Sequence, residues 1–107
     1  MDIKDLTERM HDFVRSKGWY APESSRPQTL RNLAISLSLE ASEVLEHFQW
    51  QADLKDKDEL ASELADVALY LLQLASVAGI DLEQAVLRKL EINSSREWDQ
   101  ETSSVES

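Results

Sequence analysis

The chain has 107 residues, enough for one domain and too few for a second sizeable core. Its 21 acidic residues outweigh 11 basic ones, a formal charge of −10, which argues against a nucleic-acid polymer or an anionic membrane surface as partner. At 42% hydrophobic it can build a core, and with no cysteine it has neither a disulfide framework nor thiolate chemistry.

The absence of cysteine fits a reducing compartment. The first ten residues are charged and carry no apolar signal-peptide stretch. No apolar run approaches the roughly 18 residues of a spanning segment. A cytoplasmic protein with no membrane partner is the expectation.

Two glycines, two prolines and few β-branched residues favour an all-α fold. A first helix is expected from about Asp2 to Lys17, with Asp2 as N-cap and a stripe of Ile3, Leu6, Met10, Phe13 and Val14. Gly18 ends it, and residues 19–28, with Pro22 and Pro27, read as a loop.

The second helix is expected from about Thr29 to Gln49. Its apolar face is Leu30, Leu33, Ala34, Leu37, Ala41, Val44, Leu45 and Phe48. Asn32, Ser36, Glu40, Glu43 and His47 follow one flank of that face.

After a charged loop, a third helix is expected from about Asp58 to Ala78. Its stripe is Leu60, Leu64, Val67, Leu71, Leu74, Ala75 and Ala78, and Gly79 supplies the stop. Glu59, Glu63, Asp66 and Tyr70 lie along its flank. Asp81 with Gln84 reads as a capping box for a fourth helix reaching about Arg96. The expected domain is 1–99, followed by an acidic, Ser-rich disordered tail at 100–107.

Glu40 with Glu43, and Glu63 with Asp66, are each spaced i, i+3, so each pair projects to one side of its helix. Both pairs border an apolar stripe, where an unpaired charge is costly to desolvate. Consecutive helices joined by a short loop usually pack antiparallel, which would bring the pairs together. Four carboxylates suit Mg²⁺ or Mn²⁺ better than zinc or copper. The bland alternative is a solvated acidic face, and from pattern alone the two stand about level.

The order Glu-x-x-Glu, 19 residues, Glu-x-x-Asp adds weight. So do Glu46-His47-Phe48-Gln49-Trp50, Asp66-Val67 followed by Tyr70, the Trp19 position, and Lys89 with Asn93. Over about Phe13 to Arg96 the chain resembles the MazG-like all-α nucleoside triphosphate pyrophosphohydrolases, closest to the small dCTP pyrophosphatase-like branch. The resemblance implies a four-helix bundle completed by oligomerisation, as a homodimer or a homotetramer. It implies cleavage of a nucleoside triphosphate between the α- and β-phosphates in nucleotide-pool cleansing.

By the same resemblance Glu40, Glu43, Glu63 and Asp66 hold Mg²⁺, with Mn²⁺ as substitute, and one of the glutamates is general base. Lys89, Asn93 and Arg96 share a helix face and are implied phosphate contacts; helix-terminal cations are the alternative, evenly balanced for Arg96. Trp19, Trp50 and Tyr70 are implied base-pocket aromatics, with core or interface packing as the alternative. Trp50 and Tyr70 are preferred to Trp19, because they adjoin the acid flanks. Asn32 falls on the acid side of its helix, as a substrate contact or a support for a ligand.

Glu59 and His47 are expected at the helix surface, with a water-mediated metal contact as the alternative for Glu59 and a neighbouring carboxylate or the substrate for His47. His11, with Glu8 one Glu-x-x-His, is expected to point away from its stripe. Trp98 has no counterpart in the family pattern; an interface or tail anchor is its default. Outside the enzyme reading stands a non-catalytic helical interaction module. Within it stands a MazG-type enzyme for dUTP or modified nucleotides.

Overall fold

The computed structural model describes residues 1–96, so the expected boundary at 99, the tail at 100–107 and Trp98 lie outside the described residues. Four helices follow in order: α1 (Ile3–Ser16), α2 (Leu30–Glu46), α3 (Lys57–Val77) and α4 (Leu82–Ser95), with no strand among the described residues. The all-α expectation holds.

Local chemistry sets the ends. Asp2 and Asp5 form a reciprocal capping box at the start of α1. Thr29 caps α2 through the Asn32 amide, and Asp56 caps α3 through Glu59. Asp81 accepts the Gln84 amide at 3.1 Å, but the returning Gln84 side-chain bond of a full box is not among those of the described residues. Gly18 and Gly79, both at φ 75°, stop α1 and α3. At each stop the next amide returns five residues: Trp19 N–H to the Val14 carbonyl and Ile80 N–H to that of Ala75.

α3 is the central element, packed most heavily on α2, then on α1, and only lightly on α4. It corrects one expectation: by length and composition alone it could cross a membrane. Here it serves as the middle helix of a bundle.

The core is small. Met10 and Val14 of α1, Leu33 of α2, and Leu72 and Ala75 of α3 are buried. A fully buried side chain of Leu or Met size contributes about 1.5–3 kcal/mol. Much of the apolar stripe of α2 and α3 stays open, with Leu45 at 67% exposure and Leu30 and Leu64 also exposed. α4 buries no residue, and its Leu90 is 58% exposed. α2 also stops at Glu46, three residues short of the expected Gln49, so Phe48 lies beyond the helix. On α3 the buried face is shifted toward Leu72, Gln73 and Ala75, because α1 packs there.

Candidate functional site

The packing of α2 on α3 brings the acidic pairs within electrostatic reach. Glu40 is half-buried, and its Oε1 is buried with no hydrogen-bond partner. Burial holds its carboxyl above the ordinary range, and the neighbouring carboxylates of Glu43, Asp66 and Glu63 push it further the same way. An orphaned carboxylate facing three others is the arrangement a hard divalent cation relieves. The donor set fits Mg²⁺ or Mn²⁺ in chemistry. Among the described residues, however, no three His, Cys, Asp or Glu side chains gather closely enough to hold one ion.

One of the four acids is already engaged. His47, the C-cap of α2, places Nε2 2.6 Å from Glu63 Oε1, and its side chain is only 10% exposed. The expected surface role for His47 is therefore corrected. It lies on the same flank as Glu40 and Glu43, and antiparallel packing delivers that flank to Glu63. Glu59 is exposed, as expected.

Beside the acids lies a cleft of about 570 Å³ between α1, α2, α3 and the loop at 17–29. Trp19, Asn32, Asp66 and Tyr70 line it, together with Arg9, Arg26, Gln28 and Gln73. Phe13 meets the Trp19 ring edge-on at 5.8 Å between centroids, and the Arg26 guanidinium lies over that ring at 4.5 Å. Asn32 donates from Nδ2 to the Pro27 carbonyl at 3.0 Å, tying the loop to the start of α2.

The structure thus gathers Trp19, Asn32, Asp66 and Tyr70 about one cleft. Trp50 is 89% exposed in the loop after α2 and does not line the cleft of its own chain, whereas Trp19 does. Lys89 and Arg96 are exposed and Asn93 half-buried on or at the end of α4, and none of the three lines the cleft.

Several cleft residues escaped the sequence reading. Gln73 extends the flank of Glu59, Glu63, Asp66 and Tyr70 by another three positions, so periodicity could have found it. Arg9 and Arg26 carried no comparable signal. His11 is also corrected. It points inward, its Nδ1 2.6 Å from the Tyr20 hydroxyl and its Nε2 2.7 Å from Ser76 Oγ. Burial pushes its imidazole below the usual range, Arg15 adds to this, and Asp12 opposes it.

Comparison with known proteins places this arrangement. Residues 35–107 match the MazG-like family model. dCTP pyrophosphatase 1 of Mus musculus is 32% identical over 103 aligned positions, covering 88% of this chain and 58% of the mouse protein. The chain therefore spans little more than half the length of that relative. A dATP/dGTP diphosphohydrolase of Salmonella phage PMBT28 is 45% identical over 58 positions, covering 45% of this chain and 20% of the phage protein. A pyrophosphatase of Archaeoglobus fulgidus DSM 4304 superposes with a TM-score of 0.67 at 37% identity, covering 84% of this chain and 86% of that one. The chain belongs to the MazG-like family.

Proposed function

We propose that the chain is a nucleoside triphosphate pyrophosphohydrolase that cleaves a deoxynucleoside triphosphate between the α- and β-phosphates. The products are the monophosphate and pyrophosphate, and dCTP is the first substrate to test. The observation that carries the reading is the double membership of Asp66. It belongs to the acidic cluster around Glu40 and it lines the aromatic cleft. A triphosphate at the acids and a base in the cleft are then parts of one ligand. The names of the mouse, phage and archaeal relatives support the same class.

Glu40, Glu43, Glu63 and Asp66 would hold Mg²⁺, or Mn²⁺ in its place. Bound there, it would neutralise charge on the polyanion and help activate a water. His47 holds the Glu63 carboxylate in position. Trp19 and Tyr70 offer ring faces for a base, at about 1–3 kcal/mol per stacked base. Arg9 and Arg26 place positive charge at the cleft of a chain that is otherwise strongly acidic.

The working unit is an oligomer, a homodimer or a homotetramer. The open apolar faces of α2, α3 and α4 need covering. The Cα radius of gyration, 16.8 Å, exceeds the roughly 13 Å of a compact chain this long. Assembly is also how Trp50, Lys89, Asn93 and Arg96 would reach a site that their own subunit does not bring them to. A cytoplasmic place and a role in clearing unwanted nucleotides complete the reading.

The competing reading is a non-catalytic helical module, which draws on the same open faces. Pyrophosphate release decides. The purified chain is assayed on dNTPs including dCTP and dUTP, on NTPs and on modified nucleotides, with Mg²⁺ and with EDTA. Metal-dependent release of pyrophosphate is expected. No release from any of them leaves the interaction module standing, and full activity in EDTA removes the metal.

A further inference from the structure

Gln73 is the buried polar side chain that the cleavage reading leaves unused. It is 3% exposed, yet it lines the cleft with Trp19 and Tyr70. Such a group is tolerated only when its hydrogen-bonding capacity is met. Its Nε2 donates to the Gln28 Oε1 at 2.8 Å and to the Tyr20 hydroxyl oxygen at 3.2 Å. Both amide hydrogens are therefore engaged.

The neighbours fix which way that amide faces. Gln28 Nε2 donates to the Arg26 carbonyl at 2.6 Å, so Gln28 must turn its Oε1 toward Gln73. Turning the Gln73 amide over would set two oxygens against each other. On the other side the network is satisfied when Tyr20 donates to His11 Nδ1 and the His11 Nε2–H donates to Ser76. The amide orientation is thus anchored at a main-chain carbonyl and need not adapt to a ligand. What Gln73 retains for a ligand is the acceptor capacity of Oε1.

We propose that Gln73 is a specificity-determining residue: with its donors engaged by Tyr20 and Gln28, it meets the nucleobase as a pure acceptor and favours bases bearing an amino group at pyrimidine C4 or purine C6. Cytosine and adenine carry that group where uracil, thymine and guanine carry a carbonyl. A carbonyl would meet the Gln73 oxygen acceptor to acceptor, forming no bond after both have lost water. The inference rests on the nucleotide reading above. It adds the residue that discriminates and the property read.

Binding and turnover are measured separately on the full chain with Mg²⁺. Calorimetry compares dCMP with dUMP, and pyrophosphate release compares dCTP with dUTP. Wild type should favour the cytosine member by roughly tenfold or more in both. Gln73→Leu should draw both ratios toward one, chiefly by weakening the cytosine member. A turnover ratio taken within one preparation is unaffected by the fraction that is folded. Tyr20→Phe is the second variant: it frees one Nε2 hydrogen, gives Gln73 a donor to offer, and should lower the ratio by improving the uracil member. Equal affinity of wild type for dCMP and dUMP overturns the proposal, as does an unchanged ratio in Gln73→Leu. The failure of the parent reading looks different. Selective monophosphate binding without hydrolysis would remove the pyrophosphohydrolase and keep Gln73, whereas hydrolysis without base preference would do the reverse.

Discussion

The two halves of α3 treat polar side chains in opposite ways. Toward the C-terminus, Gln73 and Ser76 join His11, Tyr20 and Gln28 in a network in which donors meet acceptors. Toward the N-terminus, Glu63 and Asp66 face Glu40, whose Oε1 meets no donor while its neighbours repel it. A satisfied network stabilises and orients what it touches. An unsatisfied acidic cluster costs stability, which a bound cation would recover. One helix thus carries a satisfied polar network at one end and an unsatisfied acidic cluster at the other.

The largest test of that contrast is Glu43→Gln. Turnover should fall roughly 10²–10³-fold, the scale of losing one preorganised electrostatic group. Metal-free stability should hold or rise, since one repelling charge is gone. Mg²⁺ at a hundred times its Kd should stabilise wild type by about 2.7 kcal/mol and the variant far less. Melts of both proteins in EDTA and in Mg²⁺ check this. An equal Mg²⁺ response would remove Glu43 from the acidic cluster.

Next comes stacking. Trp19→Ala should raise KM by a factor equivalent to about 1–3 kcal/mol, with kcat less affected. Trp50→Ala should raise KM by less, because the ring stands outside the cleft of its own subunit. Steady-state kinetics beside gel filtration sharpen the point. A raised KM in an intact oligomer places Trp50 in the site, while a broken oligomer with normal KM places it at an interface.

Tyr20→Phe addresses the satisfied half directly. It removes the hydroxyl that joins Gln73 to His11, so stability should fall by about 1–3 kcal/mol, with or without Mg²⁺. At this chain length each kcal/mol corresponds to about 4–8 °C in Tm. A loss that Mg²⁺ reversed would merge the network and the cluster into one.

The smallest effect is pH dependence. The His11 pKa lies below the ordinary imidazole value of 6.5 in the folded chain, so the unfolded chain takes up its proton first. Stability from a neutral His11 is complete above pH 6.5 and is lost as pH falls through the lowered folded value. Glu40 runs the other way. Its folded pKa lies above the ordinary carboxyl value of 4.5, so its contribution is complete below 4.5 and is lost as pH rises through the raised value. In metal-free melts, His11→Asn should flatten the decline just below pH 6.5, and Glu40→Gln should remove a gain that appears further into acid. The opposite slopes would overturn the assignment of either group.

Helix existence and the caps at Asp2 and Asp81 were legible because they rest on local chemistry. The acidic pairs were legible because i, i+3 spacing and the flank of a stripe are properties of one helix. What sequence could not supply was which flank meets which. His47 was expected at the surface because its partner, Glu63, is 16 positions away. His11 was expected to point outward because Ser76, 65 positions on, cannot be seen from α1. The stripe of α3 caught the buried Ala75 but missed Leu72 and Gln73 for the same reason: α1 packs there, and periodicity alone gives no partner.

Gly18 shows how narrow some of this chain's freedom is. A Cβ built there meets no atom within 4 Å, so space does not forbid a side chain. The constraint is the backbone, since φ 75° costs most residues about 1–2 kcal/mol. Substitution is therefore graded by left-handed preference, with asparagine tolerated before alanine, although alanine is much the better helix former. Because Trp19 follows directly, any drift at this position re-aims a cleft aromatic as well as fraying a helix end. The route by which the loop can diversify runs through Gly and Asn at position 18, and the variety has to be found in the residues that come after it.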